Sequence, residues 1–156
     1  MRVEYINPFV EAAFNVLKEV LNTEVKRGDL YLKDSTMQIM GVAALVGLAG
    51  DVEGRVLFDM TKETALFVAS AMNGEDMKVL DDMVKATITE LANMVTAQAV
   101  TKLHDLGFKF DLTPPALFTG ENMEISNNLK VEALIVPMEL GPGRKVEINV
   151  VIRERL

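Results

Sequence analysis

Glu90 and Asn93 are the two residues whose types and spacing could do chemistry together. They lie in the run DDMVKATITELANMVTAQAVTKLHDLG, which reads as one long helix. Residues three apart on a helix are surface neighbours, with Cβ atoms about 5–6 Å apart. A carboxylate and a carboxamide therefore project side by side from a stiff rod. An amide can orient a water molecule without acting as a base.

The helix that must position them follows from periodicity. Val84, Ile88, Leu91, Val95, Ala99 and Leu106 fall at the steps of one buried stripe. Asp81 and Asp82 suit a helix N-terminus, and Gly107 suits its end. At roughly 100° per residue, Glu90 points almost opposite the stripe. Its outward neighbours are Met83, Ala86, Asn93, Met94, Ala97, Thr101 and His104. Lys102 falls near the apolar stripe, as an aliphatic stem snorkelling outward. The outward face is poor in lysine, and Ala86 and Ala97 leave it open to close approach. Read from the residues alone, the pair is either part of a solvated face or the centre of a docking surface. Met94 is the methionine placed with the contact residues; core filling accounts for most of the others.

Composition sets outer limits. The chain has 156 residues, enough for one domain, 1–156, with a real core. Its formal net charge of −7 opposes nonspecific binding to nucleic acid or an anionic membrane. No apolar run approaches the roughly 20 residues of a membrane span, and the first residues lack the apolar core of a signal peptide. There is no cysteine, which removes disulfides and thiolate metal sites. Together these features predict a soluble, cytoplasmic protein.

The other elements are legible in outline. Asn7 and Pro8 predict the cap and first residue of a helix running to about Asn22, with Phe9, Ala13, Val16, Leu17 and Val20 inward. A strand is expected near 24–32, and stronger ones over Met37–Leu48 and Val52–Met60, joined by a glycine turn at Ala49-Gly50-Asp51. Thr61 caps a short helix that ends near Asn73-Gly74. After the long helix, 108–112 is extended and Pro114-Pro115 forbid helix. Gly120–Asn128 reads as polar loop. Leu129–Glu139 and Arg144–Arg153 alternate around the hairpin joint Gly141-Pro142-Gly143. A helix-then-strands order occurs twice, as a weak internal duplication would give. The pattern predicts a two-layer α+β fold: a largely antiparallel sheet with long helices over one face.

Several chemistries find no support. His104 is the only histidine, and a zinc site would need carboxylates alone. A lone histidine near a helix C-terminus complements the negative end of the dipole. Ser35, Ser70 and Ser126 are the only serines, and none sits in a nucleophile elbow. P-loop and GxGxxG patterns are absent, and basic residues do not cluster with aromatics.

The stretch ITELANMVTAQAVTKLHDLGF is similar to the signature helix of the CheC/CheX/FliY phosphatases of bacterial chemotaxis. Ile6-Asn7-Pro8-Phe9, Gly47-Leu48-Ala49-Gly50, Gly54-Arg55-Val56, Thr113-Pro114-Pro115 and Gly120 extend the resemblance over nearly the whole chain. Length and a single complete E-x-x-N helix resemble the CheX branch, with one active site per chain. The resemblance implies a hydrolase acting on the aspartyl phosphate of the response regulator CheY. Asn93 would orient the attacking water, and Glu90 would pair with a CheY lysine. Ala86, Met94 and Ala97 would contact that partner. Any Mg²⁺ would belong to CheY, and the chain would have no metal or cofactor of its own. A homodimer is expected by the same analogy.

Two departures from the family pattern matter. Ala86 stands where some members carry Ser or Asp. In the first helix Glu11 is followed three residues later by Phe14, with Asn15 one step late, so a second site is not expected there. A noncatalytic adaptor docking on a response regulator or the flagellar motor is the alternative reading. A dimeric small-ligand binder is a weaker third.

Overall fold

The computed structural model describes residues 3–34, 36–126, 129 and 131–155. Its elements in chain order are α1 (Val3–Leu21), β1 (Lys26–Arg27), β2 (Tyr31–Lys33), β3 (Thr36–Gln38), β4 (Val42–Gly50) and β5 (Val52–Met60). Then come α2 (Lys62–Asn73), α3 (Asp82–Asp105), β6 (Phe110–Leu112), β7 (Ala116–Thr119), β8 (Glu124–Ser126), β9 (Ala133–Gly141) and β10 (Arg144–Glu154).

Among the described residues, eight strands form one sheet in the order β1-β9-β10-β5-β4-β6, with β2 also on β9 and β7 also on β4. Every pairing is antiparallel. The hairpins β4-β5 and β9-β10 meet through their second strands, with Ile148 opposite Phe58 and Val150 opposite Val56. That is the arrangement a duplicated helix–hairpin unit would give. Alternate residues of the four long strands turn toward the helices: Val42, Ala44 and Val46; Val56, Phe58 and Met60; Val136 and Met138; Val146, Ile148 and Val150. Phe9, Ala13, Val16 and Leu17 of α1 meet Ile88, Leu91, Val95 and Ala99 of α3 in the same core. The predicted α+β architecture, with helices over one face of an antiparallel sheet, is present.

Gly54 shows why one backbone position admits no side chain. Its φ is +156°, and a Cβ there would lie 1.9 Å from the carbonyl oxygen of Val151. The strand beside it passes too close for any other residue.

Several boundaries differ from the sequence reading. α1 begins at Val3, so Pro8 lies inside it and not at its first position. Proline removes the bond to the carbonyl four residues back. Burial offsets that loss: Tyr5 and Ile6 are buried, and the Tyr5 ring meets Phe108 edge-on at 4.9 Å between centroids. The strand expected near 24–32 is two short pieces, β1 and β2, both on β9. Between them Gly28 N–H donates to the Pro137 carbonyl at 2.8 Å. A strand residue's N–H and C=O point to the same side, so Pro137 has no donor for this edge, and the ladder breaks there.

The strand expected over Met37–Leu48 also divides. β3 pairs with β8 in a separate two-stranded sheet, and β4 starts afresh after Gly41, whose φ is +143°. The predicted polar loop 120–128 therefore contains a strand, β8; Asn127 and Asn128 lie outside the described residues. Leu129 precedes β9 and does not belong to it. β7, just after the two prolines, had no periodic signal in its four residues. Together β3 and β8 make a flap over the second face of the sheet, where Ile39, Met123 and Ile125 cover Ala43 and Leu57.

Beneath this side of the sheet sits a buried charge. Asp59 is fully buried and stands directly opposite Glu147, itself 3% exposed. The Asp59 Oδ1 accepts the Met40 N–H at 2.9 Å, and Oδ2 has no hydrogen-bond partner among the described residues. Glu147 is better served: the Tyr31 hydroxyl donates to it, and Lys145 and Lys33 approach at 3.5 and 4.0 Å. Burial pushes the Asp59 carboxyl up to about 6; the Met40 N–H opposes this, and the charge on Glu147 adds to it.

Asp59 therefore holds its proton more tightly in the native state than in the unfolded chain, where it titrates near 3.8. Its stabilising contribution is complete below about pH 4 and is lost as pH rises through about 6, a decline of up to about 3 kcal/mol. Asp59→Asn keeps the shape and removes the titration. Chemical denaturation should show the variant gaining on the unaltered protein between pH 4 and pH 7. A difference that stays constant over that range would exclude Asp59 as the titrating group.

Candidate functional site

α3 is fastened at both ends. Asp81 caps it, its carboxylate accepting the Val84 N–H at 3.0 Å. At the other end Phe108 N–H reaches the Leu103 carbonyl at 2.9 Å and Gly107 N–H reaches that of His104 at 3.0 Å. With Gly107 at φ +93°, this is a Schellman motif, which closes a helix on a left-handed residue. Val84, Ile88, Leu91, Ala92, Val95, Ala99 and Leu103 are buried along the inner face. The stripe thus ends on Leu103; Leu106, expected in it, is 56% exposed because the cap turns the chain there.

Four threonines lie on α3, and none offers a free hydroxyl. Thr87, Thr89, Thr96 and Thr101 each donate to the carbonyl one turn back, at 2.8–2.9 Å. This back-bonding is a local habit of threonine in helices.

The outward face is close to the one expected. Met83, Ala86, Glu90, Asn93, Ala97, Thr101 and His104 are exposed. Among the described residues, neither the Glu90 nor the Asn93 side chain has a hydrogen bond or ion pair. Both are free to meet another molecule. Met94 is half-buried against the core and stands at the edge of the face. His104 lies eleven residues beyond Asn93, about 16 Å along the axis at 1.5 Å per residue, too far to join the pair.

Lys102 does not snorkel along the apolar stripe. It is exposed and forms an ion pair with Glu11 of α1. That contact also answers the question of a second site. Glu11 is engaged, and Phe14, three residues on, packs against the core. The Glu11–Asn15 combination of α1 therefore offers no free carboxylate.

The connection between α2 and α3 carries restraints that the sequence did not signal. Asn73 donates to Thr87 Oγ1 at 2.8 Å and to the Ala69 carbonyl at 2.9 Å. Ser70 Oγ accepts the Met77 N–H at 2.9 Å. An asparagine before a glycine at a helix end reads only as a stop signal, so no local pattern reveals its grip on the next helix.

The shape of the site limits its chemistry. Glu90 and Asn93 stand on a convex rod and line none of the principal concavities. Of the predicted contact residues Ala86, Met94 and Ala97, Ala97 borders one, a shallow surface with Gln98, Thr101 and Leu106. Among the described residues there is no group of three or more His, Cys, Asp or Glu able to hold a metal ion. No helix among them is long and apolar enough to cross a membrane. A rod cannot enclose a small substrate. It can enter the cleft of a larger molecule that brings the reacting groups with it.

Comparison with known proteins gives the same direction. The family model described as chemotaxis phosphatase CheX matches residues 42–139. The CheY-P phosphatase CheX of Thermotoga maritima is 30% identical over 132 residues, covering 81% of this chain and 83% of that protein. A chain of the CheX–CheY–BeF3–Mg²⁺ complex from Borrelia burgdorferi is 49% identical, with a TM-score of 0.86, covering 98% of this chain and 100% of that one. A CheC-like superfamily protein from Shewanella sp. PV-4 is 30% identical with a TM-score of 0.88, covering 98% and 99%. The free Glu90–Asn93 pair, the fold that presents it and these likenesses together place the chain in the chemotaxis phosphatase CheX family.

Proposed function

We propose that this protein hydrolyses the aspartyl phosphate of a phosphorylated CheY response regulator. The observation that carries the reading is a carboxylate and an amide, three residues apart, unpartnered and exposed on a convex helix. The Thermotoga maritima relative is named a CheY-P phosphatase and the Borrelia burgdorferi chain lies in a complex with CheY, which agrees with it.

The chemistry needs little from this chain but position. α3 enters the regulator's active site. The Asn93 amide orients a water in line with the bond between phosphorus and the aspartyl oxygen. The water oxygen attacks phosphorus, that bond breaks, and the aspartate leaves as a carboxylate. The water's protons depart on inorganic phosphate. Phosphoryl transfer depends mainly on positioning and charge stabilisation, so a histidine or a covalent nucleophile is not required. Glu90 pairs with a lysine of the regulator and fixes the register of the helix. Ala86 and Ala97 let the backbone come close. The Mg²⁺ belongs to the regulator. The same reading places the protein in the cytoplasm beside its partner.

Asn93→Ala should lower kcat for phosphate release from phosphorylated CheY with Mg²⁺ by about 100-fold, the scale of a misplaced reactant. Release as fast as that of the unaltered protein would remove Asn93 from the chemistry. Glu90→Ala should raise KM about tenfold, from loss of a charged contact, and change kcat less. Binding without faster release by the unaltered protein would instead favour a noncatalytic adaptor.

A homodimer also belongs to this reading. The edge formed by β1 and β2 leaves Leu30 and Leu32 exposed at 48% and 57%, apolar area that a second copy would cover. β4, inside the expected Met37–Leu48 strand, is an interior strand and cannot supply this edge. Light scattering should give twice the chain mass, and Leu32→Asp should lower it toward one chain. A monomer at all working concentrations would contradict the dimer.

A further inference from the structure

The α2–α3 connection is fixed, yet it holds large apolar groups in solvent. Val79 is 67% exposed and Met83 56% exposed. Between them Leu80 turns inward and packs against the core. The Asp81 N–H donates to the Val79 carbonyl at 2.8 Å, a tight turn centred on Leu80 that leaves Val79 outside. Asp81 then caps α3, Ser70 holds Met77, and Asn73 holds Thr87. A pinned segment cannot fold these side chains away. Their exposure is part of the folded structure.

Met83 is seven residues before Glu90. Seven residues are almost two whole turns, so the two share a face about 10 Å apart along the axis. A standard protein interface covers about 800 Å² per partner, a disc roughly 16 Å in radius. Any protein seated on Glu90 and Asn93 over that area also covers Met83. The other direction along α3 is more polar, with Gln98, Thr101, Lys102, His104 and Asp105, and Lys102 is already paired with Glu11.

From this geometry we infer that Val79 and Met83 form a preorganised apolar ledge that determines affinity and choice of response regulator. The inference rests on the function proposed above and assigns a task outside the water-positioning pair. The matching surface on the regulator is an apolar side chain on the rim of its active-site cleft, about 10 Å from the point where Glu90 docks. Methionine suits such a contact because its flexible thioether adapts to the partner's shape. Regulators with a charged group at that rim position would be rejected. The ledge adds nothing to the bond-breaking step.

The test uses the whole chain with Met83→Asp and Val79→Asp variants. Both positions are solvent-exposed, so melting temperatures should match the unaltered protein. Phosphate release should show KM raised about tenfold with kcat unchanged. Affinity for the beryllofluoride–Mg²⁺ form of CheY, measured by calorimetry, should fall by the same factor. Met83→Leu should restore most of it. Unchanged KM and affinity in both charged variants would overturn the ledge while leaving the role of Asn93 standing. A fall in kcat alone would also overturn it. If the unaltered protein released no phosphate, the proposed function and this inference would fail together.

Discussion

The seam between α3 and the sheet is the constraint on which the rest depends. Ile88, Leu91, Val95 and Ala99 are buried against a core shared with α1 and four long strands. Each fully buried large aliphatic side chain contributes about 1.5–3 kcal/mol. That burial fixes the helix in both position and rotation. Rotation matters more for the site. A turn of α3 by one residue, about 100°, would carry Glu90 away from the outer face and bring a buried residue out. The Asp81 cap, the Schellman closure and the Lys102–Glu11 ion pair hold the same setting from the ends and from α1.

A convex active element has consequences. Pockets create catalysis by enclosing a substrate, whereas a rod must borrow an enclosure. In the function proposed above, neither the carboxylate nor the amide acts as an acid, a base or a nucleophile. What they need is rigidity, since a positioning group loses its effect when displaced by about 1 Å. The threonines of α3 return their hydroxyl protons to their own helix, and Glu90 and Asn93 stand among small and soft neighbours, with Thr101 and His104 farther along the same face.

The second face of the sheet follows a different logic. Its buried groups are polar as well as apolar: Arg55 donates to Asn149 at 2.9 Å, and Asp59 faces Glu147. Like charges in direct register destabilise a strand pair. Tyr31, Lys33 and Lys145 relieve Glu147, while burial and the Glu147 charge push the Asp59 carboxyl up to about 6. The flap of β3 and β8 keeps water from this region, and the Met40 N–H ties it to Asp59. The stability of this face is therefore coupled to pH through Asp59.

The amino-acid sequence determined the local features of this protein. The period of Val84, Ile88, Leu91 and Val95 set the inner face of α3, the carboxylate of Asp81 set its start, and Gly107 set its end. Thr61 and Gly74 bounded α2 in the same way. These signals are local because helix periodicity and capping act within one or two turns. The spacing of Glu90 and Asn93 therefore showed a paired carboxylate and amide before any fold was known. Tertiary structure decided what local signals cannot encode. The burial of Tyr5 and Ile6 carried α1 past Pro8, and the corner at Gly41 sent one apolar run into two sheets. Strands of three or four residues, such as β7 and β8, have too few periods to be read and exist through pairing alone. Lys102 found Glu11 ninety-one positions away in the sequence. Above all, only the packed structure left Glu90 and Asn93 without side-chain partners among the described residues, because a side chain's freedom depends on every element folded around it.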